Sequence, residues 1–282
     1  MNRTVPREPK ITIVTATYNT KKFLNLCLNS VKQQTYRNIE HIFVDGYSTD
    51  GCVEIIKHYI KENPDIQTQF IQSKPKGIAN ALNIALTHAT GDIIHFLHSD
   101  DFYINENSLE RVVNYFDRNP KYEWLIGNGV LMFKDNIVIL PLSKILKHLL
   151  TQIMGIRNFI SHENTFASVN FYKKYGPFLE ENKITIEYNI WLNALKETRP
   201  LIVDDNFTVF IVHPGSTSSN VLNWIKSDAF EYPRAWKEVK YFPIIGDYEH
   251  SFWYKAYEEL IEEIAEFKNG FITGFEKSVR KD

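Results

Sequence analysis

Between residues 11 and 97, short runs rich in β-branched residues alternate with longer segments whose apolar residues recur every three or four positions. This alternation constrains the fold strongly, because strands separated by helices pair in parallel and need helices to cover the sheet. Strands are expected over 11–16, 39–44, 67–72 and 92–97. The helices between them carry three apolar stripes: Phe23, Leu24, Cys27, Leu28 and Val31; Val53, Ile56, Tyr59 and Ile60; and Ala81, Leu82, Ala85 and Leu86. In open parallel sheets, ligands lie beyond the carboxyl ends of the strands. The loops after residues 16, 44, 72 and 97 should therefore line one crevice.

Past residue 104 the alternation weakens. A helix is expected over 108–119, then a strand-like stretch over 124–140 that Gly127 and Gly129 interrupt. Residues 142–154 read as an amphipathic helix, and residues 224–282 as a packed, aromatic-rich helical appendage. A net charge of -2 over 282 residues lacks the basic excess of a dedicated nucleic-acid binder. Cys27 and Cys52 are the only cysteines, which argues against a disulfide framework and for a reducing, cytoplasmic setting. No apolar run approaches the roughly 20 residues of a spanning helix, and the first ten residues have no apolar signal region.

Three strand ends carry polar clusters: Thr15-Ala16-Thr17-Tyr18-Asn19, Val44-Asp45-Gly46-Tyr47-Ser48-Thr49-Asp50-Gly51, and Ser99-Asp100-Asp101. Adjacent carboxylates repel, and a hard divalent cation relieves that repulsion while neutralising a diphosphate. Asp45 closes an apolar strand before a glycine turn, where a carboxylate can accept from a uracil imide or a ribose hydroxyl; Asp45 and Asp50 could equally cap the following helix. Lys74 and Lys76 precede a helix that opens at Gly77, and a helix N-terminus beside an ammonium favours phosphate. No Gly-x-Gly-x-x-Gly turn follows the first strand and no Walker loop is present, which argues against nicotinamide dehydrogenases and P-loop ATPases.

Over residues 10–104 the arrangement resembles the family 2 glycosyltransferases. Ser30-Val31-Lys32-Gln33-Gln34-Thr35-Tyr36, Gly77-Ile78-Ala79-Asn80-Ala81-Leu82-Asn83 and Ala89-Thr90-Gly91-Asp92 add to the likeness. The resemblance implies an α/β chain with the GT-A fold, a Rossmann-like, mostly parallel sheet flanked by helices. It divides residues 1–220 into a nucleotide-binding half, 10–104, and an acceptor and catalytic half, 105–220, followed by the helical extension 221–282.

It also implies roles. Asp45 would contact the nucleoside, with Thr15, Thr17 and Asn19 on the opposite wall, and Lys76 near the diphosphate. Asp101 would be the foremost ligand of Mn²⁺ or Mg²⁺, with Asp100 on the metal or the ribose, and His213 as a late metal ligand. His98 stands where the family often has Asp or Asn, and Asn80 where relatives often have Asp; these two and His162 would face the donor sugar or phosphate. For the general base the resemblance points to Glu187, four residues before Trp191, with Glu180 and Glu181 as competitors. The implied activity is inverting transfer of a sugar from a nucleoside diphosphate donor, UDP-linked, to a glycan or lipid-linked glycan acceptor in cell-surface polysaccharide synthesis, lipopolysaccharide among them. A non-catalytic GT-A module that binds nucleotide-sugar or scaffolds an assembly complex is the alternative. No nucleic-acid partner is expected. Peripheral membrane association through 142–154 or the aromatic tail, and a homodimer, are left open.

Overall fold

The alternation in the first hundred residues becomes β1 (Ile11–Thr17), α1 (Lys21–Lys32), β2 (Ile39–Asp45), α2 (Cys52–Glu62), β3 (Gln67–Gln72), α3 (Ile78–His88) and β4 (Ile93–Phe96). The computed structural model describes residues 4–6, 8–133, 136–140, 150, 154, 158 and 160–214. The stripes expected on the helices bury as their spacing requires: Leu24, Cys27, Leu28 and Val31 from α1, Ile56 and Tyr59 from α2, and Leu82 and Ala85 from α3. Each helix thereby covers the sheet with one face and leaves its charged residues to solvent.

Further on come β5 (Phe102–Tyr103), α4 (Ser108–Arg118), β6 (Trp124–Ile126), β7 (Gly129–Phe133), β8 (Asn136–Leu140), β9 (Thr165–Ser168), α5 (Val169–Tyr175), α6 (Tyr188–Glu197), β10 (Leu201–Ile202) and β11 (Thr208–Val212). The strand-like stretch over 124–140 is thus three strands in two sheets. A seven-stranded sheet runs β10-β6-β9-β4-β1-β2-β3, parallel except for β9, which lies antiparallel between β4 and β6. The strand order reverses at β1, with β2 on one side and β4 on the other, which opens a crevice above their carboxyl ends. A smaller sheet, β5-β11-β7-β8, stands beside it. Its β11 pairs with β5 through Thr208 with Tyr103 and Val209 with Phe102, so the end of β11 comes back to the acidic motif after β4.

The second half is pinned to the first by aromatic packing. Trp124 of β6 and Trp191 of α6 are both fully buried and stack with centroids 5.5 Å apart and planes 14° apart. At the opposite end of the sheet from the crevice, Glu40 is buried and accepts from the Thr12 hydroxyl (2.7 Å), Gln67 (3.0 Å), Gln69 (3.1 Å), and the amide (2.9 Å) and hydroxyl (2.7 Å) of Thr90. Burial raises the pKa of this carboxyl, and the Thr90 and Thr12 donors with the nearby Lys10 charge more than offset it, so the net displacement is downward. A carboxylate with a depressed folded pKa stabilises fully above its unfolded pKa and loses that contribution as pH falls through the folded value. Glu40→Ala should therefore cost about 3 kcal/mol at neutral pH. In urea titrations the difference between the two proteins should shrink as pH falls through the depressed folded pKa of Glu40; a constant difference would contradict this account.

Among the described residues, no helix is long and apolar enough to cross a membrane. The amphipathic helix expected over 142–154, except residues 150 and 154, and the extension 221–282 lie outside the described residues.

Candidate functional site

An open cleft of about 1090 Å³ lies above the carboxyl ends of β1, β2, β3 and β4, and the loops after all four strands line it. In the loop after β1, Asn19 adopts a left-handed conformation (φ 55°) that ties two loops together. Its backbone N–H donates to the Ser48 hydroxyl (2.9 Å) and its Oδ1 accepts from the Thr49 N–H (2.9 Å). Asn19, Thr17 and Tyr18 line the cleft, and Tyr18 lies so close over Gly46 that a Cβ there would meet its ring at 2.8 Å.

Two residues that the resemblance set around the nucleoside do not reach the cleft. Thr15 is fully buried, with its hydroxyl donating to the Leu97 carbonyl (2.8 Å) and paired with His41 Nε2 (2.9 Å). Asp45 is also fully buried and sits beneath the wall. Its carboxylate accepts from Thr17 (2.9 Å), the Ser48 hydroxyl (2.6 Å) and amide (3.0 Å), and Gln72 (3.2 Å). Burial raises its pKa, but these donors overcome burial and hold the group below the usual carboxylate range. The donors already present take up the lone pairs that the sequence reading reserved for a base or ribose, so Asp45 shapes the turn instead. Asp50 takes the capping alternative, accepting from the first amides of α1 (Lys21, 2.8 Å) and α2 (Cys52, 3.1 Å).

In the middle of the cleft, the first turn of α3 has neither a side-chain cap nor an acidic residue, and Lys74, Lys76 and Gly77 stand before it. Gly77 has φ 104° and ψ 164°, a region open essentially to glycine alone. Gly77→Ala should cost about 1–3 kcal/mol and swing this N-terminus off its aim. A lowered thermal midpoint together with weakened UDP binding in calorimetry is the expected pair of results; unchanged UDP affinity would separate α3 from diphosphate binding.

Opposite α3, His98, Ser99 and Asp100 line the cleft, whereas Asp101 is fully buried outside it. Asp100 Oδ2 lies 3.0 Å from His213 Nε2, and each side chain is about one-fifth exposed (20% and 19%). Asp101 Oδ1 accepts from the Ile211 N–H of β11 at 3.4 Å, and its Oδ2 has no hydrogen-bond partner among the described residues. Burial, then the charges of Asp100 and Glu163, push its pKa well above the carboxylate range. The order assigned from sequence is therefore reversed: Asp100, not Asp101, presents its carboxylate to the cleft, beside His213. His98 and His162 also line the cleft and stack face to face, with centroids 5.0 Å apart and planes 8° apart. His162 is buried, and neither of its ring nitrogens has a hydrogen-bond partner among the described residues. Burial, then the neighbouring His98 and His95, drive its pKa far down, so the ring is neutral.

Elsewhere on the cleft wall, Glu187 directly precedes α6 and lines the cleft while only 7% exposed. Its carbonyl accepts from the amides of Ile190 (3.0 Å) and Trp191 (3.1 Å), so the buried Trp191 ring fixes where the helix begins. Asn80, expected near the sugar, does line the cleft, but its amide donates to Glu180 Oε1 (2.9 Å). Asn83 completes that link, exchanging hydrogen bonds with the Phe178 backbone (2.9 and 3.0 Å). Glu180, one of the competitors to Glu187, is thereby committed to holding this loop against α3.

Lys22, Lys183 and Glu163 also line the cleft, and sequence reasoning gave none of them a role. Lys22 carries no signal beyond its place in a first helical turn, and Lys183 sits in a loop without a motif. Glu163 directly follows His162 in the polar run Ser161-His162-Glu163-Asn164.

A profile described as Glycosyl transferase family 2 matches residues 12–128. An uncharacterized glycosyltransferase of Haemophilus influenzae is 40% identical over 227 residues, covering 75% of this chain and 83% of its own length. The Escherichia coli protein WfgD, a UDP-Glc:alpha-D-GlcNAc-diphosphoundecaprenol beta-1,3-glucosyltransferase, is 26% identical over 260 residues, 87% of this chain and 96% of its own. Against four other curated relatives the match is partial, and the chain spans between 16% and 45% of their length. Among solved structures, S. aureus TarS 1–349 in complex with UDP superposes with a TM-score of 0.64 at 19% identity, covering 84% of this chain and 67% of that one. The mannosyltransferase PcManGT of Pyrobaculum calidifontis, in complex with GDP-Man and Mn²⁺, gives 0.61 at 19% identity, covering 85% and 70%. At such identities the structural likeness carries the GT-A fold alone. Identity of 40% across most of two chains carries more, and with the family profile over β1 to β6 it makes this chain a member of glycosyl transferase family 2.

Proposed function

We propose that the chain transfers a sugar, with inversion, from a UDP-sugar to a hydroxyl of a lipid-linked or growing surface glycan. The observation that carries this reading is the placement, on the walls of one cleft, of an anion-seeking helix N-terminus with Lys74 and Lys76, the Asp100–His213 pair, and Glu187. Thr17, Tyr18 and Asn19 would receive the nucleoside. The α3 amides and the two lysines would take the diphosphate.

A divalent cation fits the Asp100–His213 pair, which offers one oxygen and one nitrogen to the cleft from adjacent side chains. Among the described residues no cluster of three or more His, Cys, Asp or Glu is suited to hold an ion, so the diphosphate itself would complete the coordination. When bound, such an ion supplies charge neutralisation for the leaving diphosphate. His162 lines the cleft in a stack with His98, and its two ring nitrogens, without a hydrogen-bond partner among the described residues, would read a sugar hydroxyl. Glu187 would accept the proton of the attacking hydroxyl from the face of the sugar opposite the leaving group.

The name of WfgD supplies the acceptor class: a sugar on a diphosphoundecaprenol carrier. The UDP held by TarS supplies the nucleotide. Calorimetric titration of UDP and GDP, with and without Mn²⁺, tests the reading. Mn²⁺-dependent binding of UDP is expected. Binding of GDP in its place would overturn the donor assignment, and binding of neither would leave the non-catalytic module standing.

A further inference from the structure

Glu187 is held from a distant loop as well as by its own helix. Asn158 Nδ2 donates to Glu187 Oε1 at 2.8 Å, across 29 residues of chain. The side-chain amide can make this contact in only one of its two flips, and the backbone settles which one. The Ile160 N–H donates to Asn158 Oδ1 at 3.1 Å, so the oxygen must face Ile160 and the NH₂ must face the carboxylate. The loop that carries Asn158 is itself fixed at its far end. Asn164, fully buried, accepts from the Phe207 (2.9 Å) and Thr208 (3.0 Å) amides with Oδ1, and its carbonyl accepts from the Gly127 N–H (2.9 Å).

We infer that Asn158 is a positioning residue, which holds the Glu187 carboxylate in orientation and favours its ionised, proton-accepting form. The inference rests on the reading of Glu187 as the base. A neutral donor to a carboxylate stabilises the charged form without introducing a competing charge, so Asn serves here where Asp would oppose ionisation and Lys would over-stabilise it. Other titratable groups stand near Glu187. Tyr172 of α5 feels the Glu187 charge, and its hydroxyl is pushed upward by burial first and by that charge second. Glu163 and Lys183 share the cleft.

The test reads the carboxyl directly, so that it does not depend on knowing the sugar or the acceptor. Carboxyl-labelled glutamate would be introduced into the full chain and the Glu187 resonance assigned by its loss in Glu187→Gln. Its titration would then be followed in the unaltered protein, in Asn158→Ala and in the isosteric Asn158→Asp, with UDP binding as the check that each variant is folded. The Glu187 pKa should rise by about one unit in Asn158→Ala, and further in Asn158→Asp, where a like charge replaces the donor. An unchanged Glu187 titration in folded Asn158→Asp overturns the inference. In a parallel arm, UDP release from a panel of UDP-sugars, with water as acceptor, is compared between the unaltered protein and Glu187→Gln. Release that survives in Glu187→Gln overturns the base assignment while leaving the measured pairing with Asn158 in place.

Discussion

Replacing Glu187 with Gln should lower turnover by about 10²- to 10⁴-fold, the range that a positioned general base contributes. UDP affinity should not change. The separation follows from the cleft: Glu187 lies at the start of α6, whereas the residues proposed for nucleotide and diphosphate belong to the β1, β2, β3 and β4 loops. Gln keeps the size of the side chain and can still pair with Asn158 through its oxygen, so the fold and the buried Trp124–Trp191 stack are spared. What is lost is the ability to take a proton. In kinetic terms kcat should fall with little change in the donor KM, the signature of an interaction realised in the transition state. The measurement is UDP release with a lipid-linked sugar acceptor, beside UDP calorimetry on the same preparation. If Glu187→Gln weakens UDP binding as much as it slows release, Glu187 belongs to the donor site and another group is the base.

The second large effect is expected at Asp100. Asp100→Ala removes the carboxylate that stands 3.0 Å from His213 at the cleft and should abolish the Mn²⁺ dependence of UDP binding. Turnover should fall by about 10³-fold or more, since neutralising a leaving diphosphate is worth several kcal/mol at 1.36 kcal/mol per decade. Asp101→Asn provides the contrast. Asp101 is buried away from the cleft, and Asn retains an oxygen to accept from the Ile211 amide of β11. Its UDP binding should keep its Mn²⁺ dependence. Should Asp101→Asn lose that dependence and Asp100→Ala keep it, the ligand assignment made from the cleft geometry would fall and the order read from sequence would return.

These two experiments bear on how much of the site could be read from residues alone. That Glu187 stands at a helix start could be read from residues, because a Trp four residues later must be buried and so orients that start, whereas its role as base is what the family resemblance implies. The uncapped start of α3 at the cleft was legible because Lys74, Lys76 and Gly77 directly follow a strand. Asp45 and Thr15 were misplaced for one reason. Both sit on strands that are buried on both faces, and sequence does not say whether a buried polar side chain is satisfied by the protein or waits for a ligand. Here Thr17, Ser48 and Gln72 satisfy Asp45, and His41 and Leu97 satisfy Thr15.

The sequence by itself determined the parallel α/β core, its crevice and the four loops around it, because hydrophobic period and strand–helix alternation are local properties that leave few topologies open. It did not determine which of two neighbouring aspartates faces that crevice. Asp100 and Asp101 are adjacent, and which one turns outward depends on β11 returning to pair Val209 with Phe102, which brings His213 to Asp100 across 113 residues of chain. The Asn158–Glu187 contact is of the same kind. Pairings over such separations leave no periodic trace in the sequence, and only the packed tertiary structure, which brings both partners to one wall, decides them.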